Sequence, residues 1–292
     1  RSPAYLRTGT AVANVPSVYS VSESDCASAP RWRVRAGDRL LAPQYGVRMD
    51  PGDVEQIVHP AWAGDDWFVE RARLAAVQAR RPGALGSHTT AAMLHGIPLP
   101  TYVRGRRAPV HVVSHRGSAV RLRGVVGHRG RLIEQPVVVG GVSVCGLLQT
   151  LVQLASMLTE RDLIVAIEGL AGPWHGPAVS LESIENILAE CTGARGRVRL
   201  RSALTRSYPH VGSPQETELR LELTGLGFPE PLVGPKIWIE SIQRHLTPDL
   251  LYAKIATAIE YGGVHHQADR DQYRSDIVRM NAFRSAGLYV ER

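Results

Sequence analysis

Two short runs near the end of the chain, LTPDLLY at 246–252 and IATAIEY at 255–261, restrict it more than any other stretch. Each mixes β-branched, aromatic and apolar residues at strand spacing, and only Ala253 and Lys254 lie between them. They predict an antiparallel β-hairpin. A tight two-residue turn at Lys254-Ile255 sets residue 253 opposite 256, 252 opposite 257 and 249 opposite 260. Directly opposed residues share a face, with Cβ atoms about 4.5–5.5 Å apart. Asp249 and Glu260 then form a facing carboxylate pair. A slip of one residue would turn Glu260 to the other face, so the pair depends on the turn.

Regular elements flank the hairpin. SPQETELRLELTGLGF at 213–228 is a helix with explicit start chemistry: Ser213 at the N-cap, Pro214 at the first helical position and Glu216 completing a capping box, with Gly225 or Gly227 at its end. KIWIESI at 236–242 alternates as a strand. DRDQYRSDIVRMNAFRSAG at 269–287 is a second helix, followed by a terminal strand at LYV. Helix, three strands, helix and strand make an α/β sandwich.

Upstream, DDWFVERARLAAVQARRP at 65–82 is a helix with acids at its start and Pro82 beyond its end. In GSHTTAAMLHGIPLP, Ser87 caps a short helix that Gly96 ends. His88 and His95 read as packing residues of that helix. APVHVVSHRG and SAVRLRGVVGHRG alternate as the strands of a hairpin. CGLLQTLVQLASML is a helix with a wide apolar face. The longest apolar stretch, Val137 to Leu158, is broken by Gly140, Gly141, Gly146, Gln149 and Gln153, so it is a poor membrane span. RWRVRAGDRLLAPQYGVRMDPG at 31–52 has the order of a winged helix: helix end, Gly37, then a basic wing. The chain is therefore expected to be an α/β (α+β) protein in three parts. These are a winged-helix-like region at 1–64, a mixed middle domain at 65–205 and a C-terminal domain at 206–292.

Charge bears on the partner. The 292 residues carry a formal net charge of +7, and two lysines, Lys236 and Lys254, leave arginine to supply 32 of the 34 basic side chains. A basic balance favours an anionic partner such as nucleic acid, while so strong a preference for Arg also fits compositional drift. Arg31, Arg33, Arg35 and Arg39 would flank a recognition helix and wing. Arg106, Arg107, Arg121 and Arg123 belong to a basic stretch at 104–131 that could follow a phosphate backbone from hairpin strands. Cys26, Cys145 and Cys191 are odd in number, widely spaced and without zinc-finger spacing, which fits thiols in a reducing cytoplasm. The first thirty residues show no apolar run of signal-peptide type, so a cytoplasmic protein without a membrane segment is expected.

Two opposed carboxylates repel unless a cation lies between them. Mg²⁺ is the natural occupant, being a hard ion that takes one or two carboxylates, waters and a phosphate oxygen. Each acid also has a plainer role. Glu216 caps a helix, Asp249 after Pro248 can close a turn, and Glu260 can be an exposed strand-end acid. Asp276 and Arg279, three apart, suit a surface ion pair.

The string S-P-Q-E-T-E-L-R at 213–220, P-D at 248–249, I-E-Y-G-G at 259–263, the histidines at 265–266 and the following helix resembles a known family. It is similar to the very-short-patch-repair-type endonuclease-like domains of actinobacterial proteins, within the PD-(D/E)XK nucleases. The upstream SHTTAAMLHGIPLP and YGVRMDPG resemble the remainder of those proteins, which are related to abortive-infection antitoxins of the AbiEi type. The resemblance implies a restriction-endonuclease-like C-terminal fold and a Mg²⁺-dependent DNA endonuclease, a hydrolase. Asp249 and Glu260 would hold the metal, Glu216 would support them, and His265 or His266 would move a proton. Gly262 departs from the pattern, standing where the wider group has the Lys of E-x-K and close relatives have Asp. That departure keeps a second reading open: a non-catalytic DNA-binding transcriptional regulator or antitoxin of a type IV toxin–antitoxin-like system, with a cognate toxin or other protein as partner.

Overall fold

The computed structural model describes residues 57–105, 108–174, 179–261 and 277–292 in full, and the backbone alone of 18–20, 47–49 and 270–276. The chain divides into two compact units. One runs to Leu163 and includes Ile184–Ser202; the other comprises Ile164–Ser183 and Ala203–Arg292. Helices and mixed sheets alternate in both, so the class is α+β as the sequence predicts. Strands β1 (Val18–Ser20) and β2 (Val47–Met49) pair antiparallel. The winged-helix reading, which rests on residues 31–52, otherwise lies outside the described residues, as do Arg31, Arg33, Arg35 and Arg39.

In the first unit a five-stranded sheet has the order β5-β4-β3-β7-β6. Its strands are β3 (Leu85–Gly86), β4 (Val110–Ser114), β5 (Val125–Arg129), β6 (Val137–Val139) and β7 (Val142–Val144). Helix α1 (Asp65–Arg80) packs on it through Trp67, Leu74 and Val77, against Leu94 of α2 (His88–His95) and Val110, Val112 and Val144 of the sheet. Gly96 ends α2 in the left-handed conformation, φ 73°, as its sequence position predicts. The apolar stretch read as a poor membrane span is the β6–β7 hairpin followed by α3 (Leu147–Leu154). Its turn, Gly140-Gly141, has φ +56° and +79°, the left-handed pair of a two-residue type I′ connection. A Cβ at Gly140 would lie 2.5 Å from the Trp67 ring, so this site needs glycine twice over. No helix among the described residues is long and apolar enough to cross a membrane.

The expected hairpin at 108–130 is not formed. β4 and β5 run parallel, His111 against Val126 and Val113 against His128. The intervening segment crosses over β5 at Gly127, where an added Cβ would meet the Val120 carbonyl oxygen at 2.2 Å. Alternation of side chains is the same in parallel and antiparallel strands, so the sequence could not separate the two.

Helices α4 (Glu160–Ala171), α5 (Leu181–Glu190) and α6 (Arg197–Thr205) follow. In the second unit, α7 (Pro214–Gly225) precedes β8 (Leu232–Val233), β9 (Ile237–Ile239), β10 (Arg244–Leu246), β11 (Leu250–Tyr252) and β12 (Thr257–Ile259). Helix α8 (Arg270–Ser285) and β13 (Tyr289–Glu291) complete it. β13-β12-β11-β8 form one sheet and β9–β10 a separate hairpin. β12 and β13 are parallel because α8 carries the chain back across. Phe283 and Ala282 of α8 pack on Ile239, Leu246 and Val290.

The β11–β12 register is the one the sequence predicts: Tyr252 faces Thr257 and Leu250 faces Ile259. The turn is longer than expected. A 3-10 turn over Ala253–Ile255 leads into Ala256 at φ 48°, giving a four-residue loop. A four-residue loop keeps the same centre of symmetry as a two-residue one, so the faces are unchanged.

Candidate functional site

Continuing the β11–β12 ladder by one step sets Asp249 across from Glu260. The third acid, Glu216, comes from the first turn of α7. Its position is fixed by capping: Ser213 Oγ accepts the Glu216 N–H at 3.3 Å, and Glu216 Oε2 accepts the Gly212 N–H at 2.8 Å. The returning bond goes one residue further upstream than an ordinary capping box. Asp249 Oδ2 accepts the Tyr261 N–H at 2.7 Å, which ties the end of one strand to the end of the next.

The three acids share one field. Burial, then the negative charge of Asp249, pushes the Glu216 carboxyl above its ordinary value; Glu260 adds to the push, and the bonds from Gly212 and Ser213 oppose it. Burial likewise raises Asp249, opposed by the Tyr261 N–H and the Arg279 guanidinium. Acids from residues 216, 249 and 260 are thus brought together from three segments of one unit. A capping acid on an unrelated surface would not have its pKa raised by Asp249 and Glu260.

Arg279 of α8 supplies the cation. Its Nε donates to Glu260 Oε2 and its Nη2 to Oε1, both at 3.1 Å, and Nη2 also donates to the Thr247 carbonyl. The Asp276 side chain, and with it the pair expected between Asp276 and Arg279, lies outside the described residues. His265, His266 and Gly262 also lie outside them. Lys254 sits in the loop at the opposite end of the hairpin, so it is not the lysine missing at 262.

Oxygen donors of this kind suit Mg²⁺ in type, and the upward push of Asp249 and Glu260 on Glu216 means that a cation would relieve repulsion there. Glu260 fits less well, because both of its oxygens are engaged by Arg279. Among the described residues the three carboxylates do not form a set of ligand atoms all within 4.8 Å of one another.

Behind the acids, α7 is locked to α4 by a buried ion pair that the sequence did not disclose. Arg220 Nη2 donates to Glu168 Oε1 at 2.6 Å, Thr217 Oγ1 donates to Oε2 at 2.6 Å, and the Tyr208 N–H donates to Oε1 at 2.9 Å. Arg220 also reaches Glu230 at 2.7 Å and lies over the Tyr208 ring. Arg220 is one turn beyond Glu216, so this network sets the helix that presents the acid.

In the first unit, Arg121 lines a recess of about 550 Å³ together with Arg81, Arg116, Ser114 and Ser118. Arg121 and Arg123 are exposed on the β4–β5 connection rather than on a strand. Arg106 and Arg107 lie outside the described residues. Arg81 was not singled out in the sequence, since it reads there only as the end of α1.

No protein-family model matches the chain, and no curated protein matches its sequence.

Proposed function

We propose that this chain acts on DNA, through a metal-dependent, endonuclease-like phosphodiesterase site built from Glu216, Asp249 and Glu260 in a restriction-endonuclease-like domain. The observation that carries the reading is that three acids from separate segments meet at one end of a four-stranded sheet, where the charges of Asp249 and Glu260 add to burial in raising the proton affinity of Glu216. Perturbation of an acid by its neighbours is common where catalytic groups are gathered. Asp249 and Glu216 would hold Mg²⁺, with Glu260 joining once Arg279 gives way. The ion, when bound, would neutralise phosphodiester charge and activate water. Asp249 is oriented by the Tyr261 N–H and Glu216 by the Gly212 N–H, so both present a defined oxygen. His265 or His266 is the candidate for proton transfer. The arginines of the recess in the first unit, Arg81, Arg116 and Arg121, suit a phosphate backbone. Arg31, Arg33, Arg35 and Arg39, on a winged-helix-like region, are proposed to add contacts, as are Arg106, Arg107 and Arg123. A cytoplasmic location follows from a DNA substrate.

The test is nicking of supercoiled DNA with Mg²⁺ or Mn²⁺, comparing the wild type with Asp249→Ala. Cleavage by the wild type that the variant loses supports the reading. Equal inactivity of both folded, metal-saturated proteins removes it.

A second reading is favoured by the Arg279 fork on Glu260 and by Gly262. A fixed cation satisfies one acid where a nuclease would use a metal, which suits a non-catalytic DNA-binding regulator or antitoxin with a toxin-like protein partner. It predicts salt-dependent binding to its own promoter region, weakened by Arg33→Ala or Arg35→Ala, without cleavage. Absence of DNA affinity at low salt would exclude both readings.

A further inference from the structure

A second constellation lies in the first unit. His111 on β4 and His128 on β5 occupy the same face of the sheet, because Val113 faces His128 and His111 faces Val126 in the parallel register. His88, the first residue of α2, brings a third ring. The His88 and His128 rings stack with centroids 3.7 Å apart, and His111 Nδ1 lies 2.9 Å from His128 Nε2. One ring nitrogen from each of the three lies within 4.8 Å of one from each of the others.

We propose that His88, His111 and His128 form a binding site for one divalent transition-metal ion of the zinc type. Three imidazole nitrogens are borderline donors that suit Zn²⁺, Co²⁺ or Ni²⁺ and not Mg²⁺, so this site is chemically separate from the acids of the second unit. Zinc–nitrogen bonds of about 2.0–2.1 Å in a tetrahedron set ligand nitrogens roughly 3.3 Å apart. The 2.9 Å contact between His111 and His128 has to open by only a few tenths of an ångström. That contact is now held by a single shared proton, which the ion would replace. Three histidines leave the fourth position to water or a ligand, and His128, being half-buried, provides the approach.

The surroundings hold the ligands in place. His88 has φ 48°, a left-handed conformation that disfavours a side chain and persists only when its neighbours enforce it. They do so here: the His88 N–H donates to Gln153 Oε1 at 3.0 Å, and His88 Nδ1 lies 3.1 Å from Ser87 Oγ. The His111 N–H donates to Thr90 Oγ1 at 2.9 Å, and that hydroxyl in turn donates to Glu70. His88 is 7% exposed and His111 6%. Burial holds their rings far below the ordinary value of 6.5, to about 3 and about 4, so their lone pairs are unprotonated at neutral pH.

The test uses the full chain, stripped of metal and titrated with Co²⁺. Binding of one equivalent with the intense visible bands of a four-coordinate ion, displaced by Zn²⁺, is expected. His128→Ala should lower Co²⁺ affinity at least about 100-fold, the upper end of what losing an outer-shell partner alone does. His265→Ala/His266→Ala should keep the bands. Should His128→Ala not fold by circular dichroism, His128→Gln makes the same comparison. The proposal is overturned by a wild type without such bands, by His128 variants that bind within twofold of the wild type, or by loss of the bands in the 265/266 variant.

Discussion

Arg279 closes a two-pronged fork on Glu260, with Nε and Nη2 each 3.1 Å from a different carboxylate oxygen. The pair joins α8 to the end of β12, and a further bond ties Arg279 to the Thr247 carbonyl before β11. The arginine is a third exposed, so solvent screens the attraction. Its arrangement decides how much of the acid cluster is available to a metal.

A double-mutant cycle on Arg279→Ala and Glu260→Gln should therefore return a coupling of about 1 kcal/mol in urea unfolding, the upper range for a partly exposed pair. Arg279→Ala should also tighten Mn²⁺ binding by the folded protein, because it releases both Glu260 oxygens. A coupling near zero, with Mn²⁺ affinity unchanged, would show that the fork is incidental.

The raised acids make a pH prediction whose sign can be worked out. The folded-state values of Glu216 and Asp249 lie above their ordinary values of 4.5 and 3.8. The native protein therefore binds more protons than the unfolded chain in the window above those values, and its stability falls as pH rises through it. Glu216→Gln keeps an oxygen for the Gly212 N–H and removes the charge. It should stabilise the protein at pH 7 by about 1 kcal/mol, a usual gain when a strained functional group is neutralised. The gain should shrink as the pH is lowered towards 4, where protonation removes the Glu216 charge from the wild type as well. Denaturant midpoints at the two pH values check this; a variant less stable at pH 7 would count against it.

Glu168 and Arg220 should behave differently, because both are almost wholly buried. Arg220→Ala leaves the Glu168 carboxylate in an apolar interior and should cost about 3–5 kcal/mol. The double variant Glu168→Leu/Arg220→Leu should recover much of that loss, since no uncompensated charge remains. Urea unfolding of the three proteins separates the cases, and a loss below roughly 1 kcal/mol for Arg220→Ala would mean that the pair does not lock α7.

If the basic recess carries phosphate contacts, each arginine removed should flatten the dependence of log affinity on log salt by about 0.9. Arg121→Ala and Arg81→Ala are the variants of choice, read by fluorescence anisotropy on duplex DNA between low and physiological salt. An unchanged slope would exclude the recess as a DNA contact.

The legible parts of the fold are those with local chemistry. Ser213, Pro214 and Glu216 announce α7, Gly96 ends α2, and the strand pattern around Ala253-Lys254 sets the register that brings Asp249 opposite Glu260. Helices α4 to α6 went unread although Thr159 carries a start signal: its hydroxyl accepts the Asp162 N–H at 3.2 Å, and Asp162 accepts the Thr159 N–H at 3.1 Å. The parallel pairing of β4 and β5 left no local mark, because strand direction changes the hydrogen-bond ladder and not the alternation of side chains.

By itself, then, the sequence determined the elements whose cause lies within a few residues: caps, turns, strand faces and the opposition of two acids about a turn. Tertiary structure alone decided which distant groups meet. Arg279 reaches Glu260 because α8 folds back over the hairpin, Arg220 meets Glu168 because α7 packs on α4, and His88 joins His111 and His128 because a crossover makes two strands parallel. Such contacts depend on chain reversals and close packing, and neither is encoded in the spacing of the residues that finally touch.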